Sequence, residues 1–431
     1  MIYTQIFSSQ CIRSNIKATF AQAKENTLES KRKIKLAEVR GYTRLVKEAT
    51  LGVTEIVQAM HHRIVHPPFL PSTPIQHIIT GIADITYFNI KTATNWIGGA
   101  LDKTMGLFPS SHGGDISPGK RKDFVAVLNG IIGDHMTRTN NPLVLSMQLN
   151  YKGHKIDPES TAFQEALSRS KGKIMIMVHG LCGHDNRWEE NGINPSENLA
   201  KALNYTPLYL QYNSGLHISD NGQQMNAILN ELIHKFSNAI NDIVLIGHSM
   251  GGLVIRSSCH YDMEENDRWT KLVSKIITLG TPHHGASLEK LGNYVDNILE
   301  VIPYTKPLAR LGKIRSTGIT DLRFGSVIDD AQGQDRFELS EDNRIQVPLP
   351  EGIECFAIAA TKNPTEKEKF SKLSGDGLVS VNSAIGIHKD EKRNLNFPES
   401  NIHLCYDTKH TQLLTDEKIF IKIHEWISPS N

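Results

Sequence analysis

The run Ile243-Val244-Leu245-Ile246-Gly247-His248-Ser249-Met250-Gly251-Gly252-Leu253-Val254 constrains this chain more than any other stretch. An apolar strand enters a Gly-x-Ser-x-Gly pattern and a helix follows at once. The pattern alone occurs by chance; its weight here comes from the strand–turn–helix context. The glycines have a steric reason. Side chains at Gly247 and Gly251 would clash with the neighbouring strand and helix. Such a turn lifts Ser249 Oγ toward solvent at a helix N-terminus, where backbone N–H groups and the helix dipole favour negative charge. Ser249 is therefore the candidate nucleophile.

The surrounding pattern fits a sheet that could carry such a turn. Apolar runs at 174–179, 206–212, 242–248, 275–280, 353–361 and 401–406 read as strands. Helices are expected at 221–240, 251–259 and 417–427. Strands alternating with helices imply a parallel sheet covered on both faces. Residues 143–149 and 154–157, around Tyr151-Lys152-Gly153, read as a hairpin suited to an antiparallel edge. The expectation is an α/β fold of the α/β-hydrolase type. The chain has 431 residues, 39% hydrophobic and 22% charged, so a large core is available.

Residues 1–122 read differently, as an N-terminal amphipathic helical region and a linker. Val39, Tyr42, Val46, Ala49, Val53, Ile56, Met60 and Ile64 recur at helical spacing, until His66-Pro67-Pro68 ends the run. A second periodic segment spans 75–101, interrupted by polar Asp84 and Lys91. Residues 110–122 are rich in Gly, Ser and Pro and read as the linker. The catalytic domain is expected at 123–431.

Net charge is +1, which suits no polyanionic partner for the whole chain, so nucleic acid is not expected. Residues 1–140, however, carry 17 Lys and Arg against 10 Asp and Glu, mostly within 13–47. A solvated helix face explains this; so does attraction of the region to anionic lipid headgroups as a peripheral membrane contact. The five cysteines, Cys11, Cys182, Cys259, Cys355 and Cys405, are widely spaced and show no zinc or disulfide framework. With no clean signal-peptide pattern and no stretch of 18 apolar residues, a cytoplasmic protein is the expectation.

A serine nucleophile needs a base, an orienting carboxylate and an oxyanion site. The strand at 174–179 ends in His179-Gly180-Leu181, which places the N–H of Leu181 beside that of Met250 as the two oxyanion donors. His179 and Gly180 read as structural. Asp376 is flanked by glycines in Ser374-Gly375-Asp376-Gly377, after the strand at 353–361, and is the candidate carboxylate; Asp329 and Asp330 precede that strand and fit poorly. His410 lies in a loop before the closing helix and is the candidate base, since His403 falls in a strand and His424 in the helix. The order Ser, Asp, His is the one this fold uses. The chemistry needs no metal or organic cofactor.

The motifs Gly247-His248-Ser249-Met250-Gly251-Gly252, the upstream His179-Gly180-Leu181, Gly280-Thr281-Pro282-His283-His284-Gly285, Gly375-Asp376-Gly377-Leu378-Val379 and His410-Thr411-Gln412-Leu413-Leu414 together resemble one group. It is the bacterial esterase/lipase family of α/β hydrolases related to GPI-inositol-deacylase-like lipases. Residues 212–222 and 315–323 resemble it too. The likeness covers about 140–431 and implies hydrolysis of carboxylic esters, small or lipid-like. The insertion at 286–350 would be a cap over the site. An acyltransferase, thioesterase or amidase could use the same triad, and a hydrolase-fold binding protein is the remaining alternative.

Overall fold

The computed structural model describes parts of residues 40–58 and 80–95, and residues 118–428 apart from 295–315, 330–341, 365–373 and a few shorter stretches. Two compact units emerge: residues 1–115 with 140–143, and residues 116–139 with 144–431.

In the first unit the described residues of 40–58 and 84–95 are helical. The polar residues that interrupt the apolar spacing join the two segments. Gln58 Nε2 donates to Asp84 Oδ1 (2.8 Å), and Lys91 Nζ donates to Gln58 Oε1 (2.9 Å). Part of the expected apolar face is uncovered: Val46, Ile85 and Phe88 are exposed. The Pro67-Pro68 stop, the end of the second periodic segment and residues 110–117 of the linker lie outside the described residues.

The second unit holds a sheet of eight strands, in the order β2-β1-β4-β3-β5-β6-β7-β8. They are β1 (Gln148–Tyr151), β2 (His154–Lys155), β3 (Lys173–Val178), β4 (Thr206–Gln211), β5 (Asp242–His248), β6 (Val273–Leu279), β7 (Glu354–Ala360) and β8 (Ile402–Cys405). β1 pairs antiparallel with β2 and β4, so the expected hairpin forms the edge. From β4 onward all neighbours are parallel. This is the α/β-hydrolase fold. Ile174–Val178 and Ile243–Ile246 are fully buried, as central parallel strands with both faces covered must be.

Eight α-helices with described bounds accompany the strands of this unit. They are α1 (Pro118–Arg138), α2 (Thr161–Arg169), α3 (Pro195–Ala202), α4 (Ile218–Lys235), α5 (Met250–Glu264), α6 (Thr317–Asp321), α7 (Val381–Ala384) and α8 (Glu417–Ile427). α1 corrects the linker reading for its last residues. The proline at its first position suits a helix start, where the missing N–H costs nothing. Alternate residues of the central strands, Met175, Met177, Val244 and Ile246, pack with Leu199 of α3 and with Ile419, Phe420 and Ile423 of α8. Period-two alternation sends Ile243 and Leu245 to the other face. Cys182, Cys259, Cys355 and Cys405 are free thiols. No described helix is long and apolar enough to cross a membrane.

Candidate active site

The turn between β5 and α5 has the geometry that the glycines foretell. Ser249 stands at φ 53°, ψ −123°, a strained conformation for a residue with a side chain. Its N–H donates to the carbonyl of Leu279 on β6 (2.8 Å), which pins the turn to the sheet. A β-carbon on Gly251 would lie 2.3 Å from the Val178 carbonyl oxygen, and one on Gly247 would lie 2.6 Å from the Gly252 nitrogen. The helix can therefore follow the strand only if both positions lack side chains. Gly180 packs as tightly: a β-carbon there would approach that of Ser249 to 2.9 Å. The sequence predicts an exposed serine, but Ser249 is buried, at 5% exposure. It opens into a cavity of about 380 Å³. The residues from His179 to Gly183 and Tyr294 from the 286–350 insertion are among those that line it.

Asp376 and His410 meet. His410 Nδ1 donates to Asp376 Oδ2 at 2.7 Å, and both side chains are buried. The other carboxylate oxygen accepts the N–H groups of Leu378 (2.9 Å) and Val379 (2.8 Å). Burial pushes the Asp376 carboxyl up, but the His410 charge and these hydrogen bonds outweigh it and hold the group below its ordinary value. The His410 ring thus has a fixed tautomer and orientation. Its Nε2 is buried without a hydrogen-bond partner among the described residues. His248 and Tyr294, which line the cavity, set their rings 4.8 and 6.2 Å from that of His410.

Leu181 lines the cavity. In its loop, the Cys182 N–H goes to Ser214 Oγ (3.0 Å) and the Gly183 N–H to the Gly180 carbonyl (3.1 Å). Met250 is the first residue of α5, so its N–H has no intrahelical acceptor. His179 stacks on the Tyr212 ring (4.2 Å), and its Nδ1 donates to the Gly180 carbonyl (2.9 Å). The Tyr212 hydroxyl donates to the His179 carbonyl (2.7 Å). Burial pushes His179 down to about 4 and His248 down to about 3, so both rings are neutral at neutral pH.

Some contributors escape sequence reading. His248 Nε2 donates to the His410 carbonyl (3.1 Å) and so braces the loop that carries the candidate base. Its place beside the serine in the Gly-x-Ser-x-Gly pattern was the available signal. Tyr294 sets its ring edge-on to His410, at 6.2 Å. Arg187, Glu189 and Glu190 line the cavity mouth, and nothing in their spacing marks them. The rejected candidates sit as expected, His403 in β8 and His424 in α8. His283 touches Arg256 and Thr278 side chains, at 3.4 Å each. Much of the 286–350 insertion lies outside the described residues. Its α6 packs inside the second unit, with Ser316 Oγ donating to the Gly130 carbonyl (2.6 Å). Among the described residues no group of three or more His, Cys, Asp and Glu could hold a metal ion.

Residues 169–353 match the PGAP1-like alpha/beta domain. The match agrees with the family resemblance read from the motifs. It spans the oxyanion-loop candidate, the elbow and the whole insertion, and ends before Asp376 and His410. No curated protein matches. Among solved structures, the chain is similar to the mature form of Bacillus licheniformis lipase BlEst2, with 17% identity, 66% of this chain and 97% of that one covered, and a TM-score of 0.39. It is also similar to Pyrococcus furiosus esterase Pf2001, with 15% identity, 60% and 82% covered, and a TM-score of 0.35. Aspergillus fumigatus lipase B matches at 12% identity, 59% and 52% covered, and a TM-score of 0.34.

Proposed function

We propose that this chain is a serine hydrolase that cleaves carboxylic esters through an acyl-enzyme, with Ser249 as nucleophile, His410 as base and Asp376 as orienting carboxylate. The observation that carries the reading is the combination of a serine held at positive φ, at the mouth of a helix, with a buried Asp376–His410 pair whose outer nitrogen is unpartnered. Ser249 Oγ attacks the ester carbonyl as His410 Nε2 takes its proton. The negative charge on the carbonyl oxygen is met by the N–H groups of Leu181 and Met250. His410 then gives the proton to the leaving alcohol. Water repeats the sequence in the second half-reaction and releases the acid. In this reading the Ser249 Oγ–His410 Nε2 hydrogen bond forms when substrate enters, since catalytic hydrogen bonds often close only then. A fluorophosphonate probe tests this directly. It should label the wild-type protein and fail to label Ser249→Ala; equal labelling of both would refute the assignment.

The substrates are lipid-like esters, and the N-terminal region brings the protein to an anionic membrane surface. The support is the basic excess of residues 13–47 beside exposed Val46, Ile85 and Phe88. Each Lys or Arg near such a surface contributes roughly 1 kcal/mol at most. The full chain should pellet with anionic vesicles at low salt and be released at high salt. Retention in the supernatant at low salt would leave these helices as scaffold.

A further inference from the structure

Two of the most exposed apolar side chains of the second unit, Ile193 and Ile421, line one groove. It runs between α3 and α8, has a volume of about 570 Å³, and also takes in Pro195, Leu199, Ala202 and Phe420. Single exposed isoleucines are ordinary; two on facing elements, over a floor of further apolar side chains, make a concave surface of the kind that binds small molecules.

The groove adjoins the cavity that holds Ser249. Glu190 and Thr415 line both. Thr415 Oγ1 donates to Glu190 Oε2 at 2.7 Å, so a single hydrogen bond between two loops forms the sill between them. The acidic side chains at the rim, Glu190, Glu417 and Glu425, disfavour an anionic group in the groove and leave an uncharged alkyl chain as the matching occupant.

We propose that this groove holds the distal part of a long aliphatic chain whose ester end lies at Ser249. The proposal rests on the esterase reading and goes beyond it by assigning where chain length is sensed. Each buried methylene contributes about 0.8 kcal/mol, about fourfold in affinity, so a few methylenes in the groove separate long substrates from short ones. Moving one chain past the sill requires only the Glu190–Thr415 contact to part.

The double variant Ile193→Asn with Ile421→Asn tests it, since both side chains are on the surface and their replacement leaves the core intact. Two substrate series distinguish the source of the chain: p-nitrophenyl acyl esters from butyrate to laurate, and alkyl butyrates from methyl to dodecyl. The ratio of long-chain to short-chain kcat/KM should fall at least about tenfold in one of them. An unchanged ratio in both overturns the proposal, as does an unchanged ratio accompanied by dissociation of an oligomer, which would make the groove a contact between copies. Binding gives an independent readout. Ser249→Ala protein should bind the fluorescent fatty acid cis-parinarate, and the added isoleucine changes should weaken it at least about tenfold; equal binding overturns the groove. If the wild-type protein neither reacts with a fluorophosphonate nor hydrolyses any ester, the esterase reading fails, while the parinarate titration still decides the groove.

Discussion

Two buried histidines of the second unit sit against carboxylates, and they are built for different ends. His410 spends one ring nitrogen on Asp376 and keeps the other unpartnered. His184 spends both. Its Nε2 lies 2.9 Å from Asp123 and its Nδ1 3.4 Å from Asp185, while the Asn186 N–H goes to Asp185 Oδ1 (3.1 Å). Lys122 adds a second cation beside Asp185 (3.3 Å). The first pair has a nitrogen to offer a substrate; the second is closed on itself. Its role is to fasten the loop that begins at Leu181 to helix α1, which supplies Lys122 and Asp123. A histidine–carboxylate contact alone therefore says little about chemistry. What the remaining nitrogen does decides.

The largest effects should separate the pairs by activity. Ser249→Ala or His410→Ala should each reduce ester turnover by roughly four orders of magnitude with the fold intact. More than about 1% residual activity in either variant would remove that residue from the mechanism. Asp376→Asn should cost roughly a thousandfold in kcat with little change in KM. Combined with His410→Ala it should add almost nothing further, because the two act as a unit. Additive losses in steady-state assays would mean that another carboxylate orients the ring.

His184→Gln should do the reverse. Turnover should fall by less than about tenfold, while unfolding stability drops by roughly 1–3 kcal/mol from a buried polar group left poorly paired. Chemical denaturation measures this, and a large turnover loss without destabilisation would erase the contrast between the pairs. The smallest effect is a pH dependence of that stability difference. Burial pulls His184 down, but its bonds to Asp123 and Asp185 outweigh burial and raise it above its ordinary value. Its stabilising contribution is thus complete below about pH 6.5 and is lost as pH rises through the raised value. The gap in Tm between wild type and His184→Gln should be wider at pH 5.5 than at pH 8.5. A gap that widens with rising pH would show that the ring is held neutral in the fold.

The sequence carried the turn around Ser249 well because that turn is local. A buried strand, two obligatory glycines and a following helix are consecutive residues, and steric exclusion at Gly247 and Gly251 needs no partner further along the chain. Asp376 and His410 were legible at one remove, through the strand and helix that bracket each, which set aside His403 and His424. What supports them was not legible. Helix α1 contains Gly130 and Gly133 and starts within a stretch rich in Gly, Ser and Pro, so its local signal is weak. Contacts 63 residues along the chain, such as Lys122 to Asp185, hold it to the Leu181 loop. Burial of Ser249 was missed for the same reason. Tyr294, which lines the same cavity, lies 45 residues downstream in an insertion without periodic pattern.

The hairpin at the sheet's edge has a consequence for how the molecule behaves among its own copies. A sheet rim is a row of unpaired backbone donors and acceptors, ready to be extended by any other strand. Here the rim is β2, which has only two residues, His154 and Lys155, both exposed. A ladder that short, ending in a lysine, gives an incoming strand almost nothing to pair with, and two lysines brought face to face would repel. On this side of the sheet the parallel strands, whose apolar runs would be hazardous if uncovered, are thereby kept one hairpin away from a neighbour.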